Sequence, residues 1–266
     1  MTLAPRRRPR AERGFALFIV ISMLGILAVV AISLASAARL RAVTLRNNSD
    51  LLAARGLAEA ALSLAKLDLS RGSAHQLFPP DGARHSFRIE GGEASFAVED
   101  ESGKLDLRRQ PPQHLASLIA RVGRGAAISA EALAARIRGA APNSVMDLAR
   151  VPGVTPQLYA ALAPHVTVYS DSARVNIDDA SPEAMLSLPG ITPALVQQVL
   201  QARAAGTPRP SLGAGEAYAT TMRGPVFTIV ATGRTTSGIE ARIVEVVAAA
   251  SSDLTSRVQL RTIERR

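Results

Sequence analysis

Hydrophobic residues near the N-terminal end of the chain follow one another without interruption, which predicts a single long apolar helix. Residues 15–38 contain no charged side chain. At 1.5 Å per residue, this stretch would form a helix about 36 Å long. The hydrocarbon core of a bilayer is about 30 Å thick, and buried core helices rarely contain so many uncharged residues in a row. We therefore predict a transmembrane helix over 15–38.

The helical pattern continues beyond this span with a different character. Apolar residues recur at spacings of three and four residues as far as Leu69, and charged residues fall largely between them. This pattern predicts that 39–70 prolong the same helix as an amphipathic stalk, which packs one face on a globular head. Arg71-Gly72-Ser73 and Pro79-Pro80-Asp81-Gly82 would then end the helix.

Strand-like segments stand on both sides of a long helical segment. Alternating residues around Gly91-Gly92 predict a hairpin with a two-residue primed turn, and a second pair crosses Gly233–Gly238. An isolated hairpin is marginally stable in water, so one small antiparallel sheet, interrupted by an inserted α-domain, is favoured over two separate hairpins. The predicted class is α+β. The expected segments are a first strand pair at 84–100, an inserted α-helical domain of two related units at 101–205, a C-terminal strand pair at 222–250 and a polar tail at 251–266.

The inserted segment repeats itself at two spacings. Gly103–Leu107 aligns with Ala173–Ile177, at an offset that also places Pro112 over Pro182. Each copy predicts a short extended stretch, a loop and a helix with proline in its first turn. A Pro-Gly-x-Thr-Pro motif also occurs twice, at 152–156 and 189–193, between apolar helical stretches.

The two Pro-Gly motifs resemble the helix-hairpin-helix of DNA-binding proteins. Such hairpins bind phosphate through N–H groups exposed by two glycines and a helix N-terminus. Here Thr155 and Thr192 replace the second glycine, and basic side chains nearby are sparse. We therefore expect structural turns in a SAM-like domain, and a membrane-anchored periplasmic DNA-binding protein is the alternative. The residues expected to form these turns are Pro152, Gly153, Pro189 and Gly190.

The composition excludes several kinds of functional site. The chain has no cysteine, which excludes disulfides and thiolate metal sites. Of the net charge of +9, residues 1–14 carry +4, which leaves a modest surplus over the rest of the chain and implies no nucleic-acid partner. The four histidines lack ligand spacing, and no phosphate-binding glycine loop or nucleophile elbow occurs, so we expect neither an enzyme nor a resident cofactor.

Calcium is the one ion for which the sequence offers candidate ligands. Adjacent carboxylates could supply oxygen ligands, although such residues are more often simply solvated. The weak candidates are Glu99, Asp100, Glu101, Asp178 and Asp179.

The boundary between the basic head and the apolar stretch resembles the type IV prepilin and pseudopilin signal. Residues 1–14 would be the leader, and Arg13-Gly14-Phe15 is the junction. In that family a prepilin peptidase cuts after the glycine and N-methylates the new N-terminus, which implies cleavage between Gly14 and Phe15. An ordinary export signal cut near Ala37 is a further alternative, although its apolar region would normally be about 7–15 residues long.

One position departs from most members of that family. Pilins and pseudopilins usually carry glutamate at the fifth mature position, where this chain has Ile19. The class that lacks this glutamate is the K-type minor pseudopilin of type II secretion. Three further segments resemble that K-type family in the same order: Asp100–Leu107, Val151–Thr155 and Val175–Glu183.

This resemblance covers nearly the whole chain and implies a cellular location, a set of partners and a role. The protein would be a single-pass inner-membrane protein with its head in the periplasm. It would join the I- and J-type minor pseudopilins to cap and prime the pseudopilus tip during export of folded proteins. The major pseudopilin, the prepilin peptidase, the inner-membrane assembly platform and membrane lipid would be its other partners. Family members usually carry a longer acid-rich stretch where this chain has only residues 138–144, which weakens the case for family calcium ions.

Overall fold

The computed structural model describes residues 11–71, 75–123, 128–250 and 259–266. These residues form six α-helices and nine strands. Residues 1–10 of the expected leader, Gly72 and Ser73 of the expected helix end and residues 251–258 of the expected tail lie outside the described ranges. The helices are α1 Ala11–Leu69, α2 Pro112–Val122, α3 Ala130–Ala140, α4 Pro156–Leu162, α5 Pro182–Leu186 and α6 Pro193–Ala205. The strands are β1 His85–Ile89, β2 Gly92–Asp100, β3 Leu105–Asp106, β4 Val166–Thr167, β5 Val175–Asn176, β6 Ala219–Thr220, β7 Val226–Thr235, β8 Glu240–Ala250 and β9 Gln259–Arg265.

The chain divides into two units, Met1–Ala53 and Ala54–Arg266. The described part of the first unit is entirely helical and belongs to α1. Its apolar side chains are exposed, and among the described helices it is the one that is long and apolar enough to cross a membrane. The prediction of one long N-terminal helix is confirmed.

The second unit contains one antiparallel sheet whose strand order is β1-β2-β7-β8-β9. Strand β2 pairs directly with β7, although the whole inserted segment separates them in the chain. The predicted single sheet with an insertion is therefore confirmed, and the alternative of two separate hairpins is wrong.

Two local predictions about the sheet are wrong. The tail expected at 251–266 contains β9, which pairs with β8 and makes a fifth strand. The first hairpin turns at Glu90-Gly91 instead of Gly91-Gly92, because Ile89 pairs with Gly92. Gly91 has a φ of +90° and Glu90 does not share the positive φ, so the turn is not the expected primed type, which begins with a positive φ.

The C-terminal part of α1 packs on one face of this sheet. Ala58, Leu62, Phe96, Ile229 and Val247 belong to the apolar core between helix and sheet. The small alanine side chains on this part of the helix allow its backbone to approach the strands closely. The fold is thus α+β, with a long N-terminal helix packed on an antiparallel sheet.

The inserted segment has an apolar core of its own. This core extends beyond the expected end at residue 205 and includes Leu212 and Ala219. The two units of the repeat have the same construction, since β3 and β5 each pair in parallel with a two-residue strand. Each is followed by a helix with proline in its first turn.

Each unit of the repeat also has a buried polar side chain at the same position of its loop. Asp106 and Asn176 occupy equivalent positions in the two units and are both fully buried. Asp106 Oδ1 accepts the N–H of Arg108 at 2.8 Å, and Asn176 Oδ1 accepts the N–H of Asp178 at 3.1 Å. The loops therefore have the same backbone course because each is organised by one side chain at its first residue.

Candidate functional site

The predicted processing site lies within α1. Gly14, Phe15 and Ile19 all belong to this helix. The side chain of Phe15 is 68% exposed and that of Ile19 is 49% exposed. Cleavage between Gly14 and Phe15 stays a prediction, and Ile19 places no carboxylate among the exposed apolar side chains of this segment.

The two Pro-Gly motifs form tight turns between short helical segments. Gly153 has a φ of +101° and Gly190 a φ of +78°, a conformation that favours glycine. A Cβ added to Gly153 would lie 2.8 Å from Ile128 Cδ1, and one added to Gly190 would lie 3.0 Å from the Cβ of Ala214. Both turns thus pack against other parts of the insert.

The threonines in these motifs cap the following helices. Thr155 Oγ1 accepts the N–H of Leu158 at 3.1 Å at the start of α4. Thr192 Oγ1 accepts the N–H of Leu195 at 3.3 Å at the start of α6. N–H groups that a DNA-binding hairpin would offer to phosphate are therefore partly satisfied within the chain. This arrangement favours the structural interpretation of Pro152, Gly153, Pro189 and Gly190.

The first group of candidate acids surrounds a lysine where the sheet meets the insert. Lys104 Nζ lies 2.8 Å from Glu99 Oε2 and 2.7 Å from Glu101 Oε1. Thr228 on β7 donates its hydroxyl to the same Glu101 oxygen at 2.6 Å. Burial by itself lowers the pKa of Lys104, but the carboxylates of Glu101 and Glu99 together outweigh it and hold the pKa above its usual value. Lys104 therefore stays protonated and joins the two acids.

Asp100 lies between these two acids in sequence but has a different set of partners. Its side chain accepts the N–H of Ser102 at 2.8 Å and the N–H of Gly224 at 3.2 Å. Burial raises the pKa of Asp100, while these hydrogen bonds and the charge of Arg223 offset part of the effect. The carboxylate thus connects the end of β2 to the loop that enters β7.

The second group of acids divides between solvent and the interior. Asp178 is exposed, whereas only 6% of the Asp179 side chain is accessible. Asn176 Nδ2 donates to Asp179 Oδ2 at 2.6 Å, and Arg223 Nε lies 4.0 Å from the same oxygen. Burial, and next the negative charge of Asp100, raise the pKa of Asp179 to about 6.

Asp100 and Asp179 line the same cleft. A cavity of about 340 Å³ is lined by both carboxylates, by Lys104 and by Arg203. A Cβ added to Gly103 would lie 2.8 Å from the carbonyl carbon of Asp179, so the short turn after β2 packs directly on the second repeat. We refer to this region, formed by Glu99–Lys104, Asp179 and Arg223, as the sheet–insert junction.

The side chains of the junction do not fit a calcium ion. In the described ranges, no group of three or more histidine, aspartate or glutamate side chains is arranged to hold a metal. The oxygens of Glu99 and Glu101 face the Lys104 ammonium, which takes the place that a cation would need. Calcium requires six to eight oxygen ligands, and those of Asp100 are committed to backbone N–H groups.

Several polar residues that organise the head were missed by the sequence reasoning. Arg138 and Arg203 lie on the last helical turns of α3 and α6, and each donates into a repeat loop, to the carbonyls of Gln110 at 2.6 Å and Ala180 at 2.8 Å. Gln110 and Ala180 are again equivalent positions of the two units, so the offset that revealed the repeat could have drawn attention to them.

The last strand is also held by contacts that its sequence does not suggest. The hydroxyl of Tyr169 donates to Glu264 on β9, and Ser144 donates to the same oxygen at 3.0 Å. Burial and the neighbouring Glu264 carboxylate raise the pKa of Tyr169 to about 12. Glu245 on β8, which is fully buried, pairs with Lys66 of α1 and accepts a hydrogen bond from Thr262 of β9 at 2.5 Å.

Comparison with known proteins finds a similar solved structure but no protein of similar sequence. A scan against protein-family models and a search of curated proteins each found no match. Among solved structures, the chain is similar to one chain of the GspK-GspI-GspJ complex from the type 2 secretion system of enterotoxigenic Escherichia coli. The TM-score is 0.57 at 15% sequence identity, and the similarity covers 85% of this chain and 98% of the other. The protein therefore shares the pseudopilin-like fold of that complex.

Proposed function

We propose that this protein is a minor pseudopilin of type II secretion, of the K type, which caps and primes the tip of the pseudopilus. One observation carries the proposal. The helix-on-sheet head with its large inserted domain follows a long apolar helix, and 85% of this chain resembles one chain of the solved GspK-GspI-GspJ complex.

The proposed location and orientation in the membrane follow from the charge pattern and the length of the helix. Residues 1–14 carry five arginines and one glutamate, and basic segments remain on the cytoplasmic side of a membrane. The prepilin peptidase removes this leader, residues 15–38 anchor the protein in the inner membrane, and the head stands in the periplasm. Its partners are the I- and J-type minor pseudopilins, the major pseudopilin, the assembly platform and membrane lipid.

The inserted domain gives the tip role a physical basis. A large extra domain on the head occupies space that another subunit would need above it, so the subunit terminates the filament. Ile19 stands where most pseudopilins carry glutamate, and a terminal subunit has no neighbour above it whose N-terminal ammonium needs neutralising. No step in this role requires catalysis, a nucleic acid or a metal.

Leader processing tests the proposal directly. Gly14→Ala should abolish removal of residues 1–14, because the added methyl group obstructs the peptidase at the scissile bond. Gly25→Ala is the matched control, since a Cβ there meets no atom within 4 Å, and it should be processed normally. Intact-mass and N-terminal sequence measurements on the purified protein should give N-methylated Phe15 for the wild type and for the control.

The same measurement separates the alternatives. A mature chain that begins near Ala38 would identify an ordinary exported protein, and normal processing of Gly14→Ala would contradict the proposal. Secretion of a type II substrate by a strain lacking the chromosomal copy should be restored by the wild type and by Gly25→Ala but not by Gly14→Ala. Salt-sensitive DNA binding that is lost on substitution of Gly153 and Gly190 would instead favour the helix-hairpin-helix alternative.

A further inference from the structure

Three arginines follow the apolar span on its periplasmic side. Arg39, Arg41 and Arg46 are exposed on α1, and they are the only charged residues between Arg13 and Asp50. Together with Asp50, this short stretch carries a net charge of +2. We call Arg39, Arg41 and Arg46 the outer arginine collar.

The axial spacing of these charges matches the thickness of a bilayer with its headgroups. Arg13 and Arg39 both belong to α1 and stand just outside the two ends of the uncharged run. At a rise of 1.5 Å per residue, they are separated by about 39 Å along the helix axis. A bilayer including its polar regions is about 40–45 Å thick. When Arg13 lies at the inner phosphates, Arg39 therefore lies at the outer phosphates, and Arg46 lies about 10 Å further out.

The distribution of the collar around the helix indicates what kind of partner it fits. An α-helix turns by about 100° per residue, so Arg39 and Arg46 lie within about 20° of each other and Arg41 lies on nearly the opposite side. A binding groove on a neighbouring protein would contact one face of the helix. A plane of headgroups surrounds the helix and meets arginines on its two opposite faces, and arginine pairs well with phosphate oxygens.

We propose that the outer arginine collar holds anionic phospholipids in the outer leaflet of the inner membrane, Arg39 and Arg41 by binding their phosphates and Arg46 by longer-range attraction to the anionic surface, and that leader removal makes the collar the main charged anchor of the helix. This inference rests on the proposed function for the orientation of the helix and for the cleavage. Before cleavage, five arginines hold the cytoplasmic end against three at the periplasmic end. After cleavage, the cytoplasmic end keeps only the ammonium of Phe15.

This change leaves the collar to set the depth of the helix in the membrane. Residues 15–38 contain no charged side chain that would fix the helix at one depth in the hydrocarbon, and the ammonium of Phe15 is the one charge left at its inner end. Cleavage thus changes which leaflet holds the helix as well as exposing a new N-terminus.

The experiment uses a fluorescent reporter placed at the collar. The chain contains no tryptophan, so Leu40→Trp, at an exposed position, gives a single signal. The full chain and the chain beginning at Phe15 are placed in lipid nanodiscs of phosphatidylcholine alone or with added phosphatidylglycerol. Quenching of the tryptophan by lipids with brominated acyl chains reports its depth. Phosphatidylglycerol should shift the tryptophan toward the headgroups, with the larger shift in the chain beginning at Phe15.

The shift should disappear when Arg39, Arg41 and Arg46 are all changed to glutamine, a good helix former, with helicity checked by circular dichroism. The matched control changes Arg121, Arg150 and Arg174 to glutamine, which are exposed on the head and alter the net charge equally. This control should keep the shift. An equal shift in the collar variant, or none in the parent, overturns the inference. If either result occurs while the leader is removed normally, only the lipid-binding role of the collar is wrong. If the tryptophan depth depends on lipid as expected but the leader is not removed between Gly14 and Phe15, the proposed maturation is wrong.

Discussion

Two buried aspartates at the sheet–insert junction influence each other. Asp100 and Asp179 belong to different elements and line the same cavity, and the charge of each disfavours the charge of the other. The cations that face Asp179 are Arg223 and Arg203, and the other nearby acid is the exposed Asp178. The repulsion between the two buried carboxyls is therefore removed when one of them is protonated.

The raised pKa of Asp179 predicts that protonation of this carboxyl stabilises the head. The Asp179 carboxyl binds a proton more tightly in the folded protein than in the unfolded chain, so its contribution to stability is greatest at low pH and is lost as the pH rises from the ordinary value of 3.8 through about 6. Asp179→Asn should remove this dependence and stabilise the protein at neutral pH by at most about 3 kcal/mol. Denaturant unfolding of the full chain in detergent across this pH range measures the effect.

Asp178→Asn is the control for this change, because Asp178 is the exposed neighbour. It should leave the pH dependence of unfolding nearly intact. An Asp179→Asn variant with the same pH profile as the wild type would show that this carboxyl does not titrate in the folded protein.

At the scale of elements, the contact between α1 and the sheet depends on a close approach of two backbones. Gly233 lies in β7 opposite Ala94, and a Cβ at this position would collide with the carbonyl of Ala54 and lie 2.5 Å from the nitrogen of Ala58. Both contacts are with backbone atoms of α1, which cannot move aside without moving the helix. Glycine is required here by packing, although its sequence position suggested a turn.

Gly233→Ala should therefore destabilise the head by about 1–3 kcal/mol, the usual cost of overpacking. Gly56→Ala is the matched control in the opposite element, because no atom lies within 4 Å of its added Cβ. Replacing glycine by alanine inside an exposed helix should stabilise it by up to about 1 kcal/mol. Thermal unfolding followed by circular dichroism should give shifts of opposite sign, and equal shifts would contradict the close approach at Gly233.

At the scale of the whole molecule, a largely buried lysine connects the sheet to the inserted domain. Lys104 follows the short turn after β2 and reaches back to Glu99 on that strand, while Glu101 also holds Thr228 on β7. The junction is thus held by a charge that the chain itself provides. This arrangement predicts that the head does not depend on a divalent cation.

Lys104→Met should destabilise the head by about 3 kcal/mol, because it leaves the buried Glu101 without its cation. Arg109→Met is the matched control, since Arg109 pairs with Asp171 on the surface, and it should change stability little. Denaturant unfolding of the full chain measures both variants. A calcium chelator should leave the unfolding midpoint of the wild type unchanged, and a clear fall on chelation would contradict the role of Lys104.

Some features of this molecule follow from residues that are close in sequence. The uncharged run from Phe15 to Ala38 required a helix, and the threonine and proline after each Pro-Gly pair required a capped helix start. The constant offset between the repeated segments predicted two units of equal construction, and both have it. These predictions succeeded because helix periodicity, caps and tight turns depend on neighbours a few residues away.

Other features depend on partners that are distant in the chain. Strand β9 was expected to be a polar tail, because several of its polar and charged residues have partners on α1, β8 and the insert, which are distant in the chain. Glu99, Asp100 and Glu101 suggested solvent or calcium, yet Asp100 and Glu101 are buried against Gly224, Lys104 and Thr228.

The sequence by itself determined the long helix, the strand–insert–strand order and the repeated units, because local periodicity and the spacing of prolines and glycines predict each of them. The tertiary structure alone decided which charges are buried and what neutralises them. It also decided where the helix approaches the sheet closely, and that the last residues complete the sheet. The physical reason is that burial and pairing are set by contacts between elements brought together over long distances in the chain, and no short-range pattern records them.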